Sequence, residues 1–186
     1  MNDQISKRIT SFLKNHFQLE WNGIHGASHW ARVRQNGLII ARQNGADPVV
    51  VSLFALLHDI ERRSDGSDPE HGARAARLVQ ELNGEYFNLH ARQMDLLRQA
   101  CELHSDGETY ADITIQTCWD ADRLDLGRVG VKPDPMLLCT AAARNQDLID
   151  WCYLRAKRWA SDLAPIKRTH HLLRCYSLIF NRGLII

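Results

Sequence analysis

No stretch of this chain stays apolar for long. The longest mainly apolar run, Val49 to Leu57, spans nine residues and contains Ser52, about half of the ~18 that a membrane-spanning helix needs. No membrane segment is expected. The first twenty residues mix charge with apolar residues at helical spacing, without a continuous apolar core or a small-residue cleavage site, so a cytoplasmic location is expected. Neither sign of charge is in excess: 23 Lys and Arg face 22 Asp and Glu, scattered rather than striped. Such a chain has no field with which to attract a nucleic-acid polymer. The cysteines (Cys101, Cys118, Cys139, Cys152 and Cys175) are odd in number and far apart, which excludes a CxxC knuckle and suggests no disulfide framework. They read as reduced core thiols. Gly (11) and Pro (5) are too few for a collagen-like or low-complexity chain.

What is there is an ordinary globular composition, 45% hydrophobic and 24% charged over 186 residues. A chain this long buries roughly 70% of its unfolded surface, so neither a metal nor a disulfide is needed merely to hold it folded. Any cluster of metal-ligating residues therefore needs another explanation. Apolar residues recur three and four apart nearly everywhere, and alternating stretches flanked by hairpin turns are missing, which predicts an all-α fold. We expect one domain over 1–186, with a core at about 20–145 and C-terminal helices over 147–186 packed on it.

Helices are predicted at 5–17, from an N-cap at Ser28 to Gly45, from Asp47-Pro48 to His58-Asp59, and at 71–82, 88–104, 113–126, 135–144, 147–159 and 170–180. Asp47 and Asp68 each precede a proline, the pattern of an N-cap followed by Pro at the first helical position. The helix after Pro48 is almost wholly apolar and should be central. Trp30, Trp119, Trp151 and Trp159 read as core filler.

The chemistry lies in what interrupts the apolar faces. His29 shares a face with Val33, Gly37 and Ile40. His58 lies one turn after Phe54, His71 precedes Ala75, Leu78 and Val79, His104 follows Leu97, Ala100 and Cys101, and Asp122 follows Ile115, Cys118 and Trp119. Taken singly, His71 or His104 reads as a core histidine satisfied by a backbone carbonyl, and Asp122 as a partner for Arg32 or Arg123. Five helices that each put an ionisable group on the core-facing stripe are another matter, because an unpaired charge is strongly disfavoured there. The groups are expected to meet. Imidazoles and carboxylates converging without thiols suit manganese, iron, cobalt, nickel or zinc.

The segments HWARV from His29, ALLHDI with His58 and Asp59, EHGARAARLV with His71, ELHSDG with His104 and DADRLDLG with Asp122 together resemble the HD-domain superfamily of metal-dependent phosphohydrolases. The resemblance implies an all-α five-helix core in which His29, His58, Asp59 and Asp122 bind a divalent transition metal (Mn, Ni, Co, Zn or Fe). The ligand role falls to Asp122, which sits beside Arg123, rather than to Asp120. His71 and His104 resemble the extra histidines of the binuclear branches, in which the aspartate of the HD pair bridges two metals. The HD-GYP branch has paired histidines where this chain has His104-Ser105, so a cyclic di-GMP phosphodiesterase is disfavoured, and the segments of the triphosphohydrolase and stringent-response branches are missing.

The resemblance implies hydrolysis of a small phosphoester, such as a nucleotide, by a metal-activated water that Asp59 orients or deprotonates. Arg62, Arg63, Arg128 and Lys132 are candidates for the substrate phosphate. Arg32, Arg123, Asp125 and His25 are candidates for supporting the metal ligands or, for His25, for protonating a leaving alkoxide. The same six residues also match the di-iron oxygenases of the superfamily, and a metal-free HD-like binding module is a third reading. The apolar stretch at 168–186 is suited to packing on the body or to a homodimer contact, with His170 and His171 on its helix and away from the metals.

Overall fold

The structure, a computed structural model, describes residues 3–166. It is all-α, with seven helices: α1 (Asp3–His16), α2 (Ala27–Asn44), α3 (Pro48–Leu57), α4 (His71–Leu82), α5 (Ala91–Leu103), α6 (Ile113–Arg123) and α7 (Gln146–Ile166). The helix predicted at 170–180 lies outside the described residues.

The sequence explains why α3 is central. Asp47 caps it by accepting from the Val49 and Val50 N–H groups, Pro48 occupies the first turn, and every residue from Val50 to Leu57 is buried. With no polar face, such a helix has to be enclosed, and α2, α5 and α6 pack around it. Gly37 on α2 faces Val51 so closely that a Cβ would fall 2.4 Å from Val51 Cγ1. A second apolar cluster (Ile40, Leu124, Leu138, Ala143, Ile149 and Cys152) lies under α7. Among the described residues no helix is long and apolar enough to cross a membrane.

Four local expectations need correction. Helix α2 begins at Ala27 with Gly26 as N-cap, not at Ser28. Residue 26 lies against the Trp21 carbonyl, where a Cβ would come within 2.1 Å, so the turn selects glycine and sets the helix start. The Asp68-Pro69 pair does not cap α4, whose N-cap position is Glu70. Asp68 instead accepts from the Arg63 N–H and from Arg74. Residues 135–144 do not form an α-helix. Only Pro135–Leu137 makes a 3₁₀ turn, because the buried Asp120 carboxylate takes the N–H groups of Cys139 and Thr140 and the Thr140 hydroxyl. Side-chain bonds of this kind offer the backbone an alternative to a helical ladder. Finally, Trp151 is not core: it is 42% exposed, with the Arg155 guanidinium stacked on its ring.

Candidate metal centre

Helix direction assembles the site. His58 and His104 are the C-cap residues of α3 and α5, and Asp122 is the penultimate residue of α6. Three helices thus end at one point, where their terminal carbonyl dipoles favour a cation. His29 comes from the first turn of α2 and His71 opens α4. Gly72 sets how closely α4 approaches. A Cβ there would meet the carbonyl oxygens of Cys101 and Glu102 at 2.6 and 2.7 Å, so only glycine lets His71 reach His104.

Two donor sets result. In the first, His29 Nε2 lies 3.2 Å from His58 Nε2, 3.5 Å from Asp59 Oδ2 and 3.3 Å from Asp122 Oδ1. His58 Nε2 lies 3.5 Å from Asp59 Oδ2 and 3.8 Å from Asp122 Oδ1. Donors bound about 2.1 Å from one ion in tetrahedral or octahedral array stand about 3.0–3.4 Å apart, so these spacings are those of a slightly open coordination shell. In the second set, Asp59 Oδ1 lies 3.3 Å from His71 Nε2 and 3.6 Å from His104 Nε2. The two imidazole nitrogens are 2.8 Å apart. Asp59 gives one oxygen to each set.

The far side of each ring fixes its tautomer. His58, His71 and His104 turn Nδ1 to the carbonyl oxygens of Phe54, Asp68 and Cys101, and His29 turns Nδ1 to the Asp125 carboxylate at 2.7 Å. A carbonyl or an ionised carboxylate can only accept, so each Nδ1 carries a proton and each Nε2 is turned toward its set. Ring nitrogens facing one another across about 3 Å require a proton or a metal ion between them. Asp122 Oδ1 makes the same demand, being a buried oxygen without a hydrogen-bond partner, and an orphaned buried acceptor is costly.

The electrostatics agree. Burial would raise the Asp59 carboxyl, but His58, His104, His25 and His29 hold it well below the usual range. Asp122 is likewise held low against burial, by the adjoining His29 and by the Arg128 charge. His29 is raised to about 9: burial and Arg128 oppose its charge, and Asp122, Asp125 and Asp59 outweigh them. His58, facing it, is lowered by burial despite Asp59 and Asp122. The carboxylates are thus held toward the ionised form, and of the facing imidazoles His29 favours the charge and His58 does not. These His and Asp groups can hold a metal ion and are compatible with an HD-type site.

Around the donors, Asp125 accepts a fork from Arg32, Nε at 2.6 Å and Nη2 at 2.9 Å, and Arg32 stacks on Trp159. Buried His25 places Nδ1 2.9 Å from Asp59 Oδ2. Arg128 is buried, donates Nε to the Ile24 carbonyl and brings Nη2 to 3.8 Å from Asp122 Oδ1, while its buried Nη1 has no partner. Arg62 Nη1 lies 3.1 Å from His71 Nε2. Three expected residues are not brought in. Arg63 is exposed and contributes a backbone N–H to Asp68. Lys132 pairs with Asp150 at 2.7 Å, both about half exposed. Arg123 turns outward to the Leu137 and Glu108 carbonyls and to Cys139 Sγ. It therefore buttresses a loop and neither Asp59 nor Asp122. Sequence reasoning missed two residues that shape the site, Asp68, whose carbonyl orients His71, and Gly72. The close pairing of a small residue with a helix-opening histidine was the available signal.

No model of a known protein family, no curated protein and no solved structure matches this chain.

Proposed function

We propose that the protein is a metal-dependent phosphohydrolase of HD type that cleaves a small phosphoester. The observation that carries the reading is the pairing of a donor set suited to a cation with a buried arginine beside it, one of whose nitrogens has no hydrogen-bond partner. Asp122 Oδ1 lacks a partner, and so does Arg128 Nη1 a few ångströms away. A divalent ion satisfies the first and a phosphate oxygen the second. When bound by His29, His58, Asp59 and Asp122, such an ion supplies Lewis acidity toward a phosphoryl oxygen and lowers the pKa of a water. Arg128, whose buried Nη1 has no partner, holds a phosphoryl oxygen as charge develops on it. Asp59, ionised, orients the attacking water, whose proton leaves to solvent, and buried His25, with Nδ1 2.9 Å from Asp59 Oδ2, is placed to protonate a leaving alkoxide.

The split of the Asp59 oxygens between two donor sets also suits a di-iron oxygenase, the second reading. A metal-free binding module accounts for neither orphaned atom. The first test is metal content by plasma mass spectrometry on untagged protein purified without chelator, followed by a phosphoester screen. Manganese, nickel, cobalt or zinc with metal-dependent phosphate release, lost in Asp59→Ala, is the expected result. Two irons with oxygen-dependent turnover selects the oxygenase. Absence of metal after anaerobic reconstitution overturns both.

A further inference from the structure

Arg62 belongs to the second donor set more than to the pocket. Its Nη1 lies 3.1 Å from His71 Nε2 and 3.6 Å from Asp59 Oδ1, the two atoms that a second ion would have to bind. An arginine is always protonated and offers only donors, so it occupies the His71 lone pair and neutralises the Asp59 oxygen at once. The rest of the guanidinium is held. Nε donates to the Ser64 carbonyl at 3.3 Å and Nη2 to the Gly66 carbonyl at 2.9 Å, and the side chain is only 12% exposed. The loop supplying those carbonyls is itself fixed. Asp68 ties the Arg63 N–H to Arg74, and Arg74 donates to the Glu61 carbonyl. Three of the five donors of one side chain are thus engaged by a built cradle, which is the pattern of a positioned charge rather than of a surface arginine that has drifted inward.

We propose that Arg62 is the resident cation of the second donor set, so that the protein holds one metal ion, on His29, His58, Asp59 and Asp122, and excludes a second. A divalent ion bound by His71 Nε2 and Asp59 Oδ1 would lie against the Arg62 guanidinium in a buried site and meet repulsion large enough to set affinity. To bind His71 it must also displace the Arg62 hydrogen bond. The geometry that makes the six residues resemble a binuclear centre is therefore used here to hold a positive charge on Asp59 without a second ion. This rests on the metal reading above and specifies its nuclearity.

The test is equilibrium dialysis against manganese(II) alone, with metal counted per chain. The wild-type protein is expected to bind one equivalent, and His71→Ala also one, because His71 holds no metal. Arg62→Met, which removes the charge at similar length, is expected to bind two, and Arg62→Met/His71→Ala to return to one. Arg62→Gln replaces the Met variant if that one does not fold, with the same expectation. Two equivalents in the wild type overturn the proposal, as does a single equivalent in a folded Arg62→Met or Arg62→Gln. Failure of every protein to bind manganese removes the metal reading itself, an outcome distinct from both.

Discussion

His29 and Asp125 are joined at 2.7 Å through Nδ1 and Oδ2, and both are fully buried. The bond turns His29 Nε2 toward Asp122 and Asp59, while Arg32 grips the other side of the same carboxylate. Asp125→Asn removes the charge that balances Arg32 and lets an amide N–H face His29. Loss of such an outer partner costs 10–100-fold in metal affinity, and an arginine left buried and unpaired costs about 3–5 kcal/mol. Both effects are expected, the first by metal titration and the second by denaturant unfolding. Unchanged affinity in a folded variant would show that the bond does not orient His29.

A metal must displace the proton that His29 carries when the site is metal-free. Its pKa is raised to about 9, above the ordinary value of 6.5. Between those values apparent affinity should rise about tenfold per pH unit, with close to one proton released per ion, and level off above pH 9. The stability of the metal-free protein runs the other way. A folded-state pKa raised above the unfolded one contributes stability that is fully present below pH 6.5 and lost as pH rises through 9. The rise in melting temperature on adding metal should therefore grow across this window. Calorimetric titration in buffers of different ionisation enthalpy counts the proton, and a pH-independent affinity from 6.5 to 9 contradicts the assignment.

Gly72→Ala tests whether the approach of α4 sets the second donor pair. The added methyl would lie 2.6–2.7 Å from two carbonyl oxygens of α5, which can yield only by moving backbone. Overpacking of this kind costs typically 1–3 kcal/mol, and the shift separates His71 from His104. The expectation is a lower unfolding midpoint with metal binding by the first set retained, since His29, His58 and Asp122 lie on other helices. A variant as stable as the wild type would mean that the contact is not tight.

The seven helices and the meeting of these His and Asp side chains were legible because five otherwise apolar faces each carry an ionisable group, and such groups have one economical explanation. His71 and His104 show the limit of reading residues singly. Each does satisfy a backbone carbonyl, as an isolated core histidine would, and the same bond aims its other nitrogen at Asp59. Asp120 and Asp122 were separable only by neighbours. The structure gives Asp120 to the backbone of Cys139 and Thr140 and leaves an oxygen of Asp122 without a hydrogen-bond partner. What sequence could not give was where the arginines point. Arg123 and Lys132 look as suitable as Arg128, and the difference is set by carbonyls and carboxylates brought from 14 or more residues away.

Arg128 offers a prediction whose sign separates function from packing. Its charge lies near Asp122 and opposes a charge on His29, so it also opposes a metal ion bound by those residues. Arg128→Met removes that repulsion. A divalent ion gains more from this than the single proton with which it competes, because the Coulomb energy scales with charge. Manganese affinity should accordingly stay level or rise. Binding of inorganic phosphate to the metal-loaded protein should fall about 10–100-fold, the worth of a charged hydrogen bond of about 1.5–3 kcal/mol. A merely structural arginine would weaken both when removed. Calorimetry of manganese and then of phosphate on the same variant reads the two signs, and a parallel loss of both would assign Arg128 to the fold rather than to the substrate.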